Sequence, residues 1–280
     1  MTDALVQALE ADTGVTAVVG AGGKKSTLYA LADRLERAVV TATVRIPIFD
    51  ERVADVVCTP DPVATLESRL GRADDGRVED DDGVGGADGF DGANGFESDP
   101  SAWPLGLVPE RDRSDRYRGY EPDQIDAIAG VDGVDHVLVK ADGARTRLFK
   151  APNEREPQIP SVADTVLAIA SCHAVGRPLD AGTVHRPECV AELTGRAVGE
   201  PITPTDVATV LTHPDGGLKR VPEGTSFVPV VNMVDDDGDL ETARAIGEAI
   251  IEDDEASEGR VSTVVLTSMI CEEPLVTVLE

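Results

Sequence analysis

Val15-Thr16-Ala17-Val18-Val19 runs directly into Gly20-Ala21-Gly22-Gly23-Lys24-Lys25-Ser26-Thr27. The first five residues are apolar or β-branched, the pattern of a buried parallel strand. Beyond the glycines, Leu28, Leu31, Ala32 and Leu35 recur at helical spacing, which predicts an amphipathic helix over 25–37. Ala38 to Thr43 reads as a second strand, so the segment opens with a βαβ unit. A glycine turn between strand and helix exposes N–H groups at the positive end of the helix dipole, where phosphate oxygens are stabilised. Gly20, Ala21, Gly22 and Gly23 let the backbone approach such a ligand, a lysine neutralises its charge, and a hydroxyl holds Mg2+. The expected ligand is a nucleoside triphosphate, GTP or ATP, with Mg2+.

Three residues separate Gly20 from Lys24, fewer than in GxxxxGK[ST] and closer to the GxxGK loop of the Mur ligases. Lys24 and Lys25 are both candidates for the phosphate lysine. Ser26 and Thr27 are both candidates for the Mg2+ hydroxyl. A second element is Val137-Leu138-Val139-Lys140-Ala141-Asp142-Gly143, where Asp142 follows a buried strand and is placed to bind Mg2+. A third is Val230-Val231-Asn232-Met233-Val234-Asp235, a partial match to the NKxD pattern of GTPases, with Met233 in place of the lysine. There Asn232 would fix the loop and Asp235 would read the base, with Thr267-Ser268 after the next strand completing the base side.

Further runs at Val134–Val139, Thr165–Ala170, Phe227–Asn232, Val261–Leu266 and Leu275–Leu279 read as strands. Pro122–Ala129, Pro187–Leu193, Pro204–Leu211 and Leu240–Ile251 read as helices. This alternation predicts an α/β fold of P-loop NTPase type, a mainly parallel sheet with helices on both faces, in a single domain over 1–280. Residues 72–102 break the pattern. They are rich in Asp and Gly, including Asp80-Asp81-Asp82, and read as a disordered acidic insertion.

The 280 residues hold 53 Asp and Glu against 25 Lys and Arg, a net charge of -28. A phosphate backbone would be repelled, so nucleic acid is excluded as a partner. Acids spread through the whole chain fit a hydrated, halophilic surface suited to multimolar salt. No apolar run is long enough to cross a bilayer, and the N-terminus lacks the basic and apolar regions of a signal peptide. The scattered Cys58, Cys172, Cys189 and Cys271 show neither zinc nor disulfide spacing, and a cytoplasmic location is expected. The only lysines are Lys24, Lys25, Lys140, Lys150 and Lys219. Two lie in the glycine loop, and two bracket a segment that also carries Arg145 and Arg147. Positive charge gathered in so acidic a chain points to an anion. His173 and His185 have no metal-ligand spacing, and no Ser/His/Asp or Cys/His arrangement stands out.

Several segments together resemble the YqeC family, described as accessory proteins for selenium-dependent molybdenum hydroxylases. They are Val19-Gly20-Ala21-Gly22-Gly23-Lys24, Ala141-Asp142-Gly143-Ala144-Arg145, Lys150-Ala151-Pro152, Glu156-Pro157-Gln158-Ile159-Pro160, Gly176-Arg177-Pro178-Leu179, His185-Arg186-Pro187-Glu188 and Leu193-Thr194-Gly195. Lys140, where a glutamate is expected, and Lys25 depart from the pattern. The resemblance implies a P-loop-like protein found with enzymes that mature molybdenum cofactor, some relatives being joined to a nucleotidyltransferase. It implies a molybdenum hydroxylase or molybdenum-cofactor enzyme as partner. Asp142, Arg145, His185 and Arg186 are the expected catalytic residues of an NTP-hydrolysing maturation factor. An NTP-dependent ligase or transferase acting on a small anion, and a nucleotide-sensing scaffold, are the other two readings.

Overall fold

Val15–Val19 forms the centre of a seven-residue strand, because both of its faces are covered and every residue from Val15 to Val19 is buried. The computed structural model describes residues 3–74, 102–256 and 260–280. The first elements are α1 (Ala4–Ala8), β1 (Gly14–Gly20), α2 (Lys24–Ala32), β2 (Ala38–Ala42), β3 (Ile46–Pro47), β4 (Asp55–Cys58) and α3 (Pro62–Asp74). Next come β5 (Leu105–Val108), β6 (Arg111–Arg113), β7 (Arg116–Tyr117), α4 (Pro122–Ala129), β8 (His136–Lys140), β9 (Phe149–Lys150) and β10 (Thr165–Ser171). The remainder are β11 (Val184–His185), α5 (Pro187–Thr194), α6 (Pro204–Thr212), β12 (Ser226–Asn232), α7 (Asp237–Ala256), β13 (Val264–Thr267) and β14 (Leu275–Leu279).

Nine of these strands build one sheet in the order β14-β13-β12-β10-β1-β8-β2-β5-β4. All neighbours are parallel except β13 and β14. The alternation along β1 splits the core in two. Val15, Ala17 and Val19 face a layer containing Leu66 of α3, Ile125 and Ile128 of α4, Val207 and Val210 of α6, and Ile246 and Ile250 of α7. Val18 faces the other way, against Leu5 and Val6 of α1 and Leu28 and Leu31 of α2. The protein is therefore α/β, with a mainly parallel central sheet between helical layers. Leu28 and Leu31 are fully buried, so truncating either to Ala removes about 2–5 kcal/mol.

Several boundaries differ from the sequence reading: the last helix runs over Asp237–Ala256 rather than Leu240–Ile251, and β13 begins at Val264 rather than Val261. α2 ends at Ala32, capped by Asp33, and the chain turns at Arg37 with φ 50°, a conformation no helix continues through. The predicted insertion 72–102 lies mostly outside the described residues; its first residues, 72–74, belong to α3. The strands β4 and β5 and the helices α1 and α3 were not predicted. β3, β7 and β6 form a separate three-stranded sheet.

Candidate functional site

Because β1, β8, β2, β10 and β12 are parallel, the loops that follow them share one edge of the sheet. That edge carries a cleft of about 890 Å3. Its floor is the turn between β1 and α2. Gly20 and Gly23 are required there: a Cβ on Gly20 (φ 91°) would lie 2.1 Å from the Ile169 carbonyl oxygen, and one on Gly23 (φ 140°) would lie 2.0 Å from Asn232 Nδ2. The N–H of Gly20 donates to Asp142 Oδ2 (2.9 Å), that of Ala21 to the Ile169 carbonyl (2.8 Å) and that of Gly22 to the Arg147 carbonyl (3.1 Å). Gly23 caps α2 without any side-chain hydrogen bond. The open donors are therefore those of Gly23 and the first turn of α2, not those of Gly20 to Gly22.

Asn232 holds this turn from below. Its Nδ2 donates to the Gly22 carbonyl at 2.7 Å, and its Oδ1 accepts from Thr267 Oγ1 at 3.0 Å. Asp235 lies further out, exposed, where its Oδ1 accepts from Ser268 Oγ at 2.6 Å. Neither side chain lines the cleft. Of the two hydroxyl candidates, Ser26 is exposed on the cleft, whereas Thr27 is buried and donates back to the Gly23 carbonyl at 3.3 Å.

Asp142 is buried between two lysines. Lys24 Nζ lies 2.7 Å from its Oδ1 and Lys150 Nζ 2.8 Å from its Oδ2. Lys24 also donates to the Gly20 carbonyl, so its chain arches over the turn. Lys150 continues to Glu156 Oε2 (2.8 Å), which in turn accepts from Arg186 (2.6 Å). Burial raises the Asp142 pKa, but Lys150 and Lys24 outweigh it and hold the carboxyl at about 2. Burial opposes ionisation of Glu156 too, and Lys150 and Arg186 outweigh it to keep its pKa low.

Three of the five lysines thus meet at one point, since Lys140 stands beside this cluster with its Nζ donating to the Arg45 carbonyl at 3.0 Å. Burial, then the Lys24 ammonium, bring Lys140 down to about 7. A lysine poised there can give or take a proton at neutral pH. Burial and the neighbouring Arg186 and Lys150 push His185 down to about 4, so its imidazole is neutral at physiological pH. His173 sits elsewhere, paired with Asp239 at 3.0 Å.

The structure brings Lys24, Lys25, Ser26, Arg145, His185 and Arg186 to the cleft wall, with Asp142 beneath. It adds Arg45, Arg113 and Arg116, which the sequence reading passed over. A signal existed: Arg111, Arg113, Arg116 and Arg118 fall within eight residues of a chain poor in positive charge. Nine cationic side chains (Lys24, Lys25, Arg45, Arg113, Arg116, Lys140, Arg145, Arg147 and Arg186) line the cleft against the single carboxylate of Glu156. Backbone strain gathers there as well. Arg145, Thr146, Arg186 and Met233 all line the cleft with φ between 48° and 66°.

Apart from Met233, the residues that line this cleft lie within the reach of one family model, described as YqeC protein, which matches residues 16–188. The chain belongs to the YqeC family. A YqeC-family relative from Escherichia coli (strain K12), described as "Uncharacterized protein YqeC", is 28% identical over 231 residues, 78% of this chain and 75% of its own length. No solved structure matches the chain. Among the described residues, no helix is long and apolar enough to cross a membrane.

Proposed function

We propose that this YqeC-family protein binds a nucleoside triphosphate at the edge where β1 meets α2, and hydrolyses it as an accessory factor in the maturation of a molybdenum hydroxylase or its cofactor. The observation that carries the reading is the convergence of nine cations on an uncapped helix start in a chain of net charge -28. Such a grouping costs Coulomb energy unless an anion joins it. A P-loop-NTPase-type fold accords with the parallel sheet and with the cleft at its C-terminal edge. The molybdenum client rests on the family resemblance.

In this reading the phosphates sit on the N–H groups of the first turn of α2. Lys24 covers them from the arch over Gly20, and Arg145, Arg147 and Arg186 neutralise charge from the side. Catalysis is mostly positioning and neutralisation. Lys140 is the group best placed to move a proton, while His185 remains neutral. The donors of Asp142 do not fit a Mg2+ ligand as they stand, because its two oxygens face Lys24 and Lys150 and three ammonium groups surround it. Ser26, exposed on the cleft, is the hydroxyl that would hold Mg2+ brought with the phosphates, and the ion would supply further charge neutralisation there.

Phosphate release from ATP, GTP and CTP by the full chain in high salt tests the reading. Turnover that Arg186→Ala reduces at least tenfold supports it. Nucleotide binding without turnover leaves the scaffold reading.

A further inference from the structure

We propose that the cleft holds a second anion, a small phosphomonoester substrate, on the wall formed by Lys25, Arg45, Arg113 and Arg116. The inference rests on the nucleotide reading and deepens it. Strand order separates two groups of cations. The segment carrying Arg145 and Arg147 leans toward the end of β10: the Arg147 carbonyl accepts from the Gly22 N–H, and the Leu148 carbonyl accepts from the Ser171 N–H at 3.1 Å. Arg45 follows β2, on the other side of β1 and β8, and Arg113 and Arg116 belong to the small sheet that pairs with β3. The turn at Gly20–Ser26 lies between the arginines of the two groups, and its Lys25 feels the charge of Arg116 on the second side. A triphosphate seated on that turn meets the first group and leaves the second facing open space.

The second wall is short of negative charge. Asp112 serves both Arg45 and Arg113, the latter at 3.8 Å, and Asp115 stands 3.3 Å from Arg116. Lys25 has no ion pair or hydrogen bond of its own side chain among the described residues, and it is half-buried. Burial and the like charges of Arg116 and Arg52 depress its pKa. Four cations against the two carboxylates of Asp112 and Asp115 leave positive charge uncompensated, and a dianion offsets that repulsion and accepts the free donors. The cleft volume, about 890 Å3, stands near the top of the range for small-molecule sites, which leaves room beside a nucleotide. The wall carries no carboxylate facing the cleft, so a cationic or neutral second substrate is disfavoured. Beside the hydrolysis proposed above, a phosphomonoester next to a triphosphate allows phosphoryl or nucleotidyl transfer: a substrate phosphate oxygen in place of water attacks a nucleotide phosphorus, the bond to the leaving phosphate breaks, and diphosphate or nucleoside diphosphate departs.

The test is calorimetric titration of phenyl phosphate into the full chain saturated with a non-hydrolysable ATP or GTP analogue and Mg2+. The expected result is a second 1:1 binding event with the nucleotide retained. Arg113→Ala with Arg116→Ala should weaken phenyl phosphate at least tenfold and change nucleotide affinity less than twofold. Lys24→Ala should do the reverse. Arg113→Gln with Arg116→Gln, checked for folding by circular dichroism, replaces the first pair if that variant misfolds. Displacement of nucleotide by phenyl phosphate, absence of a second event at millimolar ligand, or equal loss of both affinities would overturn the proposal, the last meaning that the arginines clasp the nucleotide itself. If no nucleotide binds at all, the nucleotide reading fails separately, and phenyl phosphate on the free chain with the same variants still decides the second seat.

Discussion

At the C-terminal edge of the sheet nine cations face one carboxylate; at the N-terminal edge a hollow of about 340 Å3 is lined by Gln7, Glu10, Asp12, Thr13, Asp164, Thr165 and Ser226, with no cation among them. The acidic end is explained by structure. Asp164 accepts the N–H of Val15 at 2.8 Å, and Thr165 donates to the Glu10 carbonyl at 2.6 Å. Its remaining carboxylates are part of the charge that covers the chain everywhere. The basic end is explained this way only in part: Lys24 and Arg186 pair with Asp142 and Glu156, and Lys140 holds the Arg45 carbonyl, yet nine cations line the cleft with one carboxylate. Composition therefore describes the surface, and departures from composition mark the site.

The comparison breaks most visibly at Asp142. Asp142→Asn leaves Lys24 and Lys150 buried with half their partner charge gone, and about 3–5 kcal/mol of stability should be lost in urea unfolding. The wild-type ion pairs have a defined pH window. Asp142 is held at about 2 when folded, below its ordinary value, so its contribution is complete above the ordinary carboxylate range and lost as pH falls through about 2. Asp164→Asn at the opposite edge removes one charged acceptor and should cost about 1–2 kcal/mol. Equal losses at the two edges would show that the lysine cluster is not special.

Lys24→Ala should weaken nucleotide by about 2–3 kcal/mol, the value of a charge-assisted contact. A smaller effect involves Lys140. With its pKa at about 7, Lys140 becomes charged as pH falls from 8 to 6. Comparison with Lys140→Gln cancels the titration of the phosphate itself. The wild-type advantage over that variant should grow roughly tenfold between pH 8 and 6, about 1.4 kcal/mol, at the low end of a charged hydrogen bond. The same depressed pKa means the unfolded chain binds more protons between about 7 and the ordinary lysine value, so Lys140 costs less stability as pH rises through that window. A ratio independent of pH would remove Lys140 from the anion's surroundings. The smallest effect is expected at the acidic edge: Glu10→Gln with Asp12→Asn should change nucleotide affinity less than twofold, through screened long-range charge alone.

Much of this was legible in the chain. The strands at 15–19, 38–43, 165–170 and 227–232 stand out because parallel strands are buried on both faces. The glycine turn and the lysines at 140 and 150 stood out for their scarcity. The edge elements did not. β4 is half-exposed, and β5 holds Gly106, where a Cβ would lie 2.7 Å from the Phe49 ring and 2.8 Å from Val56; packing demands glycine at a position where propensity argues against a strand. α3 shows Val63, Leu66 and Leu70 at helical spacing, a readable signal overshadowed by the acidic stretch that follows. Arg45, Arg113 and Arg116 were hidden for another reason. Which loops share an edge depends on strand order, and no local spacing encodes that β2 lies beside β8. The same holds for Asp142: its sequence position suggested a metal ligand, and only the packed fold shows Lys24 and Lys150 on its two oxygens.

Calorimetric titration of ATP and GTP with Mg2+ into the full chain and into Lys24→Ala, in high salt, tests the central claim most directly. The account predicts one nucleoside triphosphate bound per chain at the basic edge, with affinity lowered at least thirtyfold by the substitution, about 2 kcal/mol. Absence of binding to the folded wild-type chain, or binding that Lys24→Ala leaves unchanged, would contradict it.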